Sequence, residues 1–144
     1  MSNISVTYTL IDWEAAAIAV RAAVAEAVSI GVKINVAVVD SSGVLAAFLR
    51  MPGAPLHSVD IAIDKAYTAV SFGLPTHLWL DALKEHSPAV REGIVRRPRF
   101  VEFGGGLPMV SNGELIGAIG VSGASEVQDQ QCAQAGLNAI GVNG

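Results

Sequence analysis

An Asn-Gly pair at 112–113 stands between two apolar runs, "LPMVS" (107–111) and "LIGAIGVSG" (115–123). A two-residue hairpin loop needs positive φ at its centre, and Asn-Gly supplies it at least cost, so the two runs are expected to pair as antiparallel neighbours. A second hairpin reads the same way. "INVAVVD" (34–40) and "VLAAFLR" (44–50) flank the turn residues "SSG" (41–43). The strands of this hairpin are apolar on both faces, which predicts a sheet covered on both sides.

Helical patterns fill the rest of the chain. Thr9 and Asp12 resemble a capping-box start for a helix over 11–30, with Gly31 as its stop. The segment 56–72 carries an apolar stripe of Val59, Ala62, Ile63, Ala66, Ala69 and Val70, and Gly73 and Pro75 end it. Thr76 can cap a short helix over 77–85, and Ser87-Pro88 opens another over 88–95. Ser125 and Gln128 open a last helix that runs to about Ile140 and Gly141. The order helix, hairpin, helices, hairpin, helix lacks the alternation of a parallel sheet. It predicts an α/β (α+β) fold: one domain over 1–144, a four- or five-stranded antiparallel sheet, and helices on both faces.

Charged residues make up only 15% of the chain, against 51% hydrophobic. So thin a charged coat reads as subunit interface in a homo-oligomer, or as the effect of many Ala and Gly. The net charge of −4 argues against nucleic-acid binding. A lone cysteine, Cys132, leaves no intrachain disulfide. "MSNISVTYTL" lacks a signal peptide's basic start, and the Ala-rich run 15–28 is too short and too charged to span a membrane. A cytoplasmic protein is expected.

On the helix 56–72, the residues His57, Asp60, Asp64, Lys65 and Thr68 fall within about 140° of arc at helical geometry. This polar stripe permits several readings: a metal held by His57 with Asp60 and Asp64, a base or amine at Lys65, a polar-ligand surface, or a solvated face. The run Gly104–Gly106 fits neither a Walker loop nor a dinucleotide fingerprint. It can form a backbone nest for an anion, with Arg96, Arg97 and Arg99 supplying charge, or simply a bend. Ser122, after the spaced glycines Gly117 and Gly120, is a hydrogen-bond donor near a helix start, while Glu126 and Asp129 serve that helix's dipole. If haem is bound, His57, His77 and His86 are the histidines on offer, with Met51 and Met109 as second candidates.

The stretches "VAVVDSSGVLAAFLRMPGAPLHSVDIAIDKAYTAVSFG" and "FGGGLPMVSNGELIGAIGVSGASEVQDQQCAQAGLNAI" resemble the GlcG/HbpS-like family, the small domain also found at the C-terminal end of PduO-type proteins. The likeness runs from about Asp12 to Ile140. It carries "VD-x-x-G", "R-M", "S-x-D-I-A-x-x-K-A-Y-T-A", "F-G-G-G-L-P" and "G-A-I-G-V-S-G" in order. The resemblance implies a profilin-like sandwich, homo-oligomers that are often octamers, and haem or a related small ligand in some members, others sitting in catabolic operons. Its motif positions here include Asp40, Gly43, Arg50, Met51, Asp60, Lys65, Tyr67, Gly104, Gly105, Gly106, Gly117, Gly120 and Ser122. The first helix holds no histidine, so haem ligation from that helix is not available to this chain.

Two functions follow as expectations. One is a small-ligand-binding accessory protein of bacterial catabolism. Its small carboxylate or haem/corrinoid-type ligand would sit between helix 56–72 and the loop 104–106, contacted by Arg50, Tyr67, Gly104, Gly105, Gly106 and Ser122. The other is a cofactor-independent isomerase, lyase or hydrolase with Lys65 or Asp60 as base.

Overall fold

The computed structural model describes residues 3–144. Helix α1 (Trp13–Ile30) is followed by strands β1 (Asn35–Asp40) and β2 (Leu45–Arg50), helix α2 (Ser58–Phe72), and the short helices α3 (Trp79–Leu83) and α4 (Pro88–Ile94). Strands β3 (Gly106–Ser111) and β4 (Glu114–Ser122) and helix α5 (Glu126–Ile140) complete the chain. A turn of 3₁₀ helix at Thr76–Leu78 leads into α3.

The caps are those that the side chains favour. Ser87 accepts from the Val90 amide at α4, and Ser125 and Gln128 form a full capping box at α5. At α1 the cap is Asp12, whose carboxylate accepts from the Glu14 amide. Thr9 does not open the helix. Its hydroxyl donates to Glu114, and its carbonyl accepts from Ser41. α1 therefore begins at Trp13, two residues later than the pattern predicts.

The four strands form one antiparallel sheet in the order β2-β1-β4-β3. Each hairpin pairs its own strands, and β1 lies beside β4, with Asn35 opposite Ser122 and Asp40 opposite Gly117. α1 and α5 cover one face. Between them and the sheet lies the larger apolar core, built from Ala16, Ala19, Ala23 and Ala27 of α1, Val36, Val38, Met109, Ile119 and Val121 of the strands, and Ala133 and Leu137 of α5. α2 covers the other face, where Ala66, Ala69 and Val70 pack on Val39 and Ala118. β4 shifts register against β3 at Met109/Val110. Ile116 thereby turns into the first core while Leu115 packs on the second.

Coverage of the two sides is uneven. β1 is buried nearly throughout, whereas β2 is an edge strand left largely exposed. The apolar character of "VLAAFLR" therefore does not mark burial on both faces. Met51 Sδ accepts from the Ile34 amide, and Met109 is wholly buried, so both sulfurs serve packing. No helix among the described residues is long and apolar enough to cross a membrane.

Candidate functional site

α2 sits closer to the sheet than ordinary side chains would allow. A Cβ on Gly120 would lie 2.1 Å from the Ala62 carbonyl oxygen and 2.5 Å from the Ala66 nitrogen. Real Cβ atoms do not approach backbone that closely, so β4 must be bare there. The close approach rotates the buried face from the one the apolar pattern suggests, with Ala62, Ala66, Ala69 and Val70 common to both. Ser58, Ala62, Lys65, Ala66, Thr68, Ala69 and Val70 are buried, while Val59 and Ile63 are only partly so. The polar stripe is thereby split: His57 and Asp60 face outward, and Lys65 and Thr68 face inward.

Lys65 is only 1% exposed. Its Nζ donates to the Val121 carbonyl at 2.8 Å and to Asp129 Oδ2 at 3.2 Å, and it stands 5.0 Å from the centre of the Phe103 ring. The other carboxylate oxygen of Asp129 accepts from the Ala124 amide at 2.9 Å. Burial drives the Lys65 amine below the ordinary lysine range, opposed by the nearby Asp129 and Glu126. Burial likewise pushes the Asp129 carboxyl above its ordinary range, against the pull of Lys65 and the Ala124 and Gly123 amides.

The triple glycine closes over this pair. Gly105 has φ +129°, and a Cβ there would stand 2.4 Å from the Val121 oxygen and 2.6 Å from Lys65 Nζ. Its carbonyl accepts from the Val121 amide at 2.9 Å. The Gly104 amide donates to Glu126 Oε1 at 2.9 Å, and the Gly106 amide donates to Thr76 Oγ1 at 2.8 Å. The helix and the glycine corner do meet, as the motifs predict. They meet in close contact: a Cβ on Gly106 would lie 2.6 Å from the Lys65 carbonyl oxygen, so side chain and glycines leave little room at this point for the expected pocket. The nest that could hold an anion is filled by the protein's own carboxylate and hydroxyl.

A hollow does open further along α2. A cavity of about 220 Å³ is lined by Tyr67, Thr68, Ser71, Phe72, Ile94, Arg97, Pro98, Arg99 and Phe100. Phe72 and Phe100 pack edge-to-face around Trp79, at 4.8 and 4.9 Å between ring centres. The guanidinium of Arg99 lies 3.6 Å above the Tyr67 ring, and its Nε donates to Asp64 Oδ1 at 3.0 Å.

The remaining candidates are scattered. Arg50 Nη2 donates to the Ala54 carbonyl at 2.6 Å. It lies on β2, the opposite edge of the sheet from Gly106 on β3, about 14 Å away at the usual strand spacing. Arg50 is therefore not near the glycine corner as expected. Ser122 and Arg50 flank Asn35 in register on either side, and the Asn35 side-chain oxygen is buried without a partner. His57, His77 and His86 are all exposed. Among the described residues no three His, Cys, Asp or Glu side chains come together as a metal group.

Asp129, Glu126, Thr76 and Phe103 belong to the closed cluster although the sequence reading gives them other duties or none. A signal for Asp129 exists. It shares a stripe with Cys132, Ala133, Gly136 and Leu137, all buried. A carboxylate on an otherwise apolar stripe needs a buried partner. Lys65 bears the same mark, three residues from Ala62 and four from Ala69.

A family model described as "Haem degrading protein HbpS-like" matches residues 11–138. Among curated proteins, the chain is 38% identical over 118 residues to an uncharacterised 15.0 kDa protein in the dhaT-dhaS intergenic region of Citrobacter freundii, covering 82% of this chain and 83% of that one. It is 37% identical to the corrinoid adenosyltransferase PduO of Salmonella typhimurium over 85% of this chain, but spans only 36% of that protein. Among solved structures, the Klebsiella pneumoniae protein ORFY superposes with a TM-score of 0.89 at 33% identity, over 98% of this chain and 97% of the other. A PduOC–haem complex superposes with a TM-score of 0.85 at 34% identity, over 94% and 98%. With the family model matched over residues 11–138 and these structures superposing over nearly its whole length, the chain belongs to the HbpS-like family.

Proposed function

We propose that this protein is a haem-binding accessory protein that holds the ligand against its surface through an exposed histidine. The observation that carries the reading is the likeness, over 94% of the chain, to a protein solved in complex with haem. The residues present fit the group. Neutral imidazole is the usual protein ligand to haem iron, and all three histidines are exposed. His77 has the most suitable surroundings. Its Cβ lies against Gly104, where Glu126 also arrives, and Phe103 and Val127 nearby are 42% and 72% exposed. A porphyrin needs such apolar side chains beside the ligating nitrogen.

The enzymatic alternative finds less support. Lys65 could act as base only by leaving Asp129 and the Val121 carbonyl, and it is only 1% exposed; Asp60 lies on the outer face of α2. A homo-oligomer accompanies the binding reading. Trp13, Ile18 and Leu80 are exposed large apolar side chains of the kind that subunit contacts cover.

Titration of the purified protein with haemin tests the reading. A saturable Soret shift is expected, lost in His77→Ala and kept in a His57→Ala/His86→Ala double variant. No shift, or a shift that survives removal of all three histidines, overturns histidine-ligated haem binding.

A further inference from the structure

We infer that the cleft between α2 and the segment 94–100 is a receptor for a small carboxylate with a flat or branched apolar body. Arg99 lines this cleft. Its φ of +68° is unusual for a residue with a side chain, and such strain persists only where the surroundings impose it. Here they impose it at several points. The Arg99 carbonyl accepts from Thr68 Oγ1 at 2.9 Å, and the same hydroxyl accepts from the Val101 amide at 3.1 Å. The guanidinium is stacked on Tyr67, and its Nε is tied to Asp64.

This arrangement fixes the plane of the guanidinium while using only Nε. The two terminal nitrogens have no hydrogen-bond partner among the described residues. They are the pair that grips a carboxylate with two parallel bonds. Because stacking and the Asp64 contact already hold the fork, little side-chain entropy remains to be lost on binding.

The rest of the cleft matches that chemistry. Arg97 also lines it and takes part in none of the ion pairs Lys65–Asp129, Lys84–Asp81 and Arg99–Asp64. Two arginines against one Asp64 leave the mouth one positive charge in excess. Phe72, Phe100, Ile94 and Pro98 supply apolar walls for the body of the ligand. The volume of about 220 Å³ suits an acid the size of benzoate. The site shares no lining residue with the surface around His77, so it does not rest on the haem reading. A carboxylate on the edge of a bound haem would offer the same chemistry, and the test separates the two sources.

Benzoate and benzyl alcohol are the probes, titrated into the full chain and followed by amide shifts in NMR. Saturable shifts confined to residues 67–72 and 94–100 are expected with benzoate and absent with benzyl alcohol. Arg97→Gln should weaken benzoate binding roughly tenfold, the worth of one charge-assisted hydrogen bond. Arg99→Gly keeps the left-handed backbone without the fork, and it should abolish binding while the far-UV spectrum stays that of the parent. Haemin that displaces benzoate assigns the site to a haem carboxylate; haemin that leaves benzoate in place assigns it to a separate small acid. Equal shifts with both probes, or full benzoate affinity in Arg99→Gly, overturn the proposal.

Discussion

Lys65 on α2 and Arg99 packed against the same helix are two basic residues that end in opposite states. Lys65 is sealed. Its amine is spent on the Val121 carbonyl and Asp129, its free side meets the Phe103 ring, and glycines close over it. Arg99 is braced by Tyr67 and Asp64 and lines a cavity, and its two terminal nitrogens have no hydrogen-bond partner among the described residues. A charge placed among family motifs is not thereby a functional charge. What separates the two is whether donors remain after the protein has satisfied its own groups. A buried charge with every partner in place defines packing; a fixed charge with partners missing is ready for a guest.

The sharpest way to break this contrast is to remove one member of the sealed pair. Lys65→Met leaves Asp129 buried and uncompensated, and it should cost about 3–5 kcal/mol in urea unfolding. Adding Asp129→Leu should recover most of that loss. A Lys65→Met protein as stable as the parent would show that the pair does not hold the fold together.

The glycine corner should respond less strongly. Gly105→Ala pushes a methyl group toward the Val121 oxygen and Lys65 at a left-handed backbone position. A cost of about 1–3 kcal/mol is expected, read as a lowered melting temperature. An unchanged melting point would mean that the corner has room after all, restoring the idea of a pocket there.

Burial holds Asp129 above its ordinary value of 3.8. On lowering the pH, the folded state therefore takes up this proton before the unfolded state does. Stability contributed by Asp129 rises as pH falls through its folded value, and the gain is complete below 3.8. Asp129→Asn lacks the titration. The stability of the parent relative to this variant, from urea curves between pH 7 and pH 4, should climb toward the acid end. A difference independent of pH would contradict the assigned direction.

The smallest effect belongs to the open cleft. Arg97→Gln should change stability by less than about 0.5 kcal/mol, as exposed substitutions usually do, while still weakening benzoate. A large stability loss on chemical unfolding would mean that Arg97 is a packing residue and that the two regions are more alike than the geometry says.

Much of the fold was legible because it rests on local chemistry. Asn112-Gly113, the Ser125–Gln128 capping box, the Ser87-Pro88 start and the stops at Gly31, Gly73 and Gly141 act within a few residues of themselves. The site was only partly legible. Lys65 and Gly104–Gly106 stood out in the sequence, but their partner Asp129 lies 64 residues from Lys65. Helical geometry put Lys65 on a polar stripe, and only the approach of the sheet at Gly120 rotated it inward. The run "RRPR" stood out as charge, yet nothing local showed that Arg99 would stack on Tyr67.

By itself, then, the sequence determined the number, kind and order of the elements, since caps, turns and periodicity depend on neighbours along the chain. Tertiary structure alone decided which charges are closed and which stay open. That outcome depends on which helix face meets the sheet and on which groups tens of residues apart supply the last hydrogen bond.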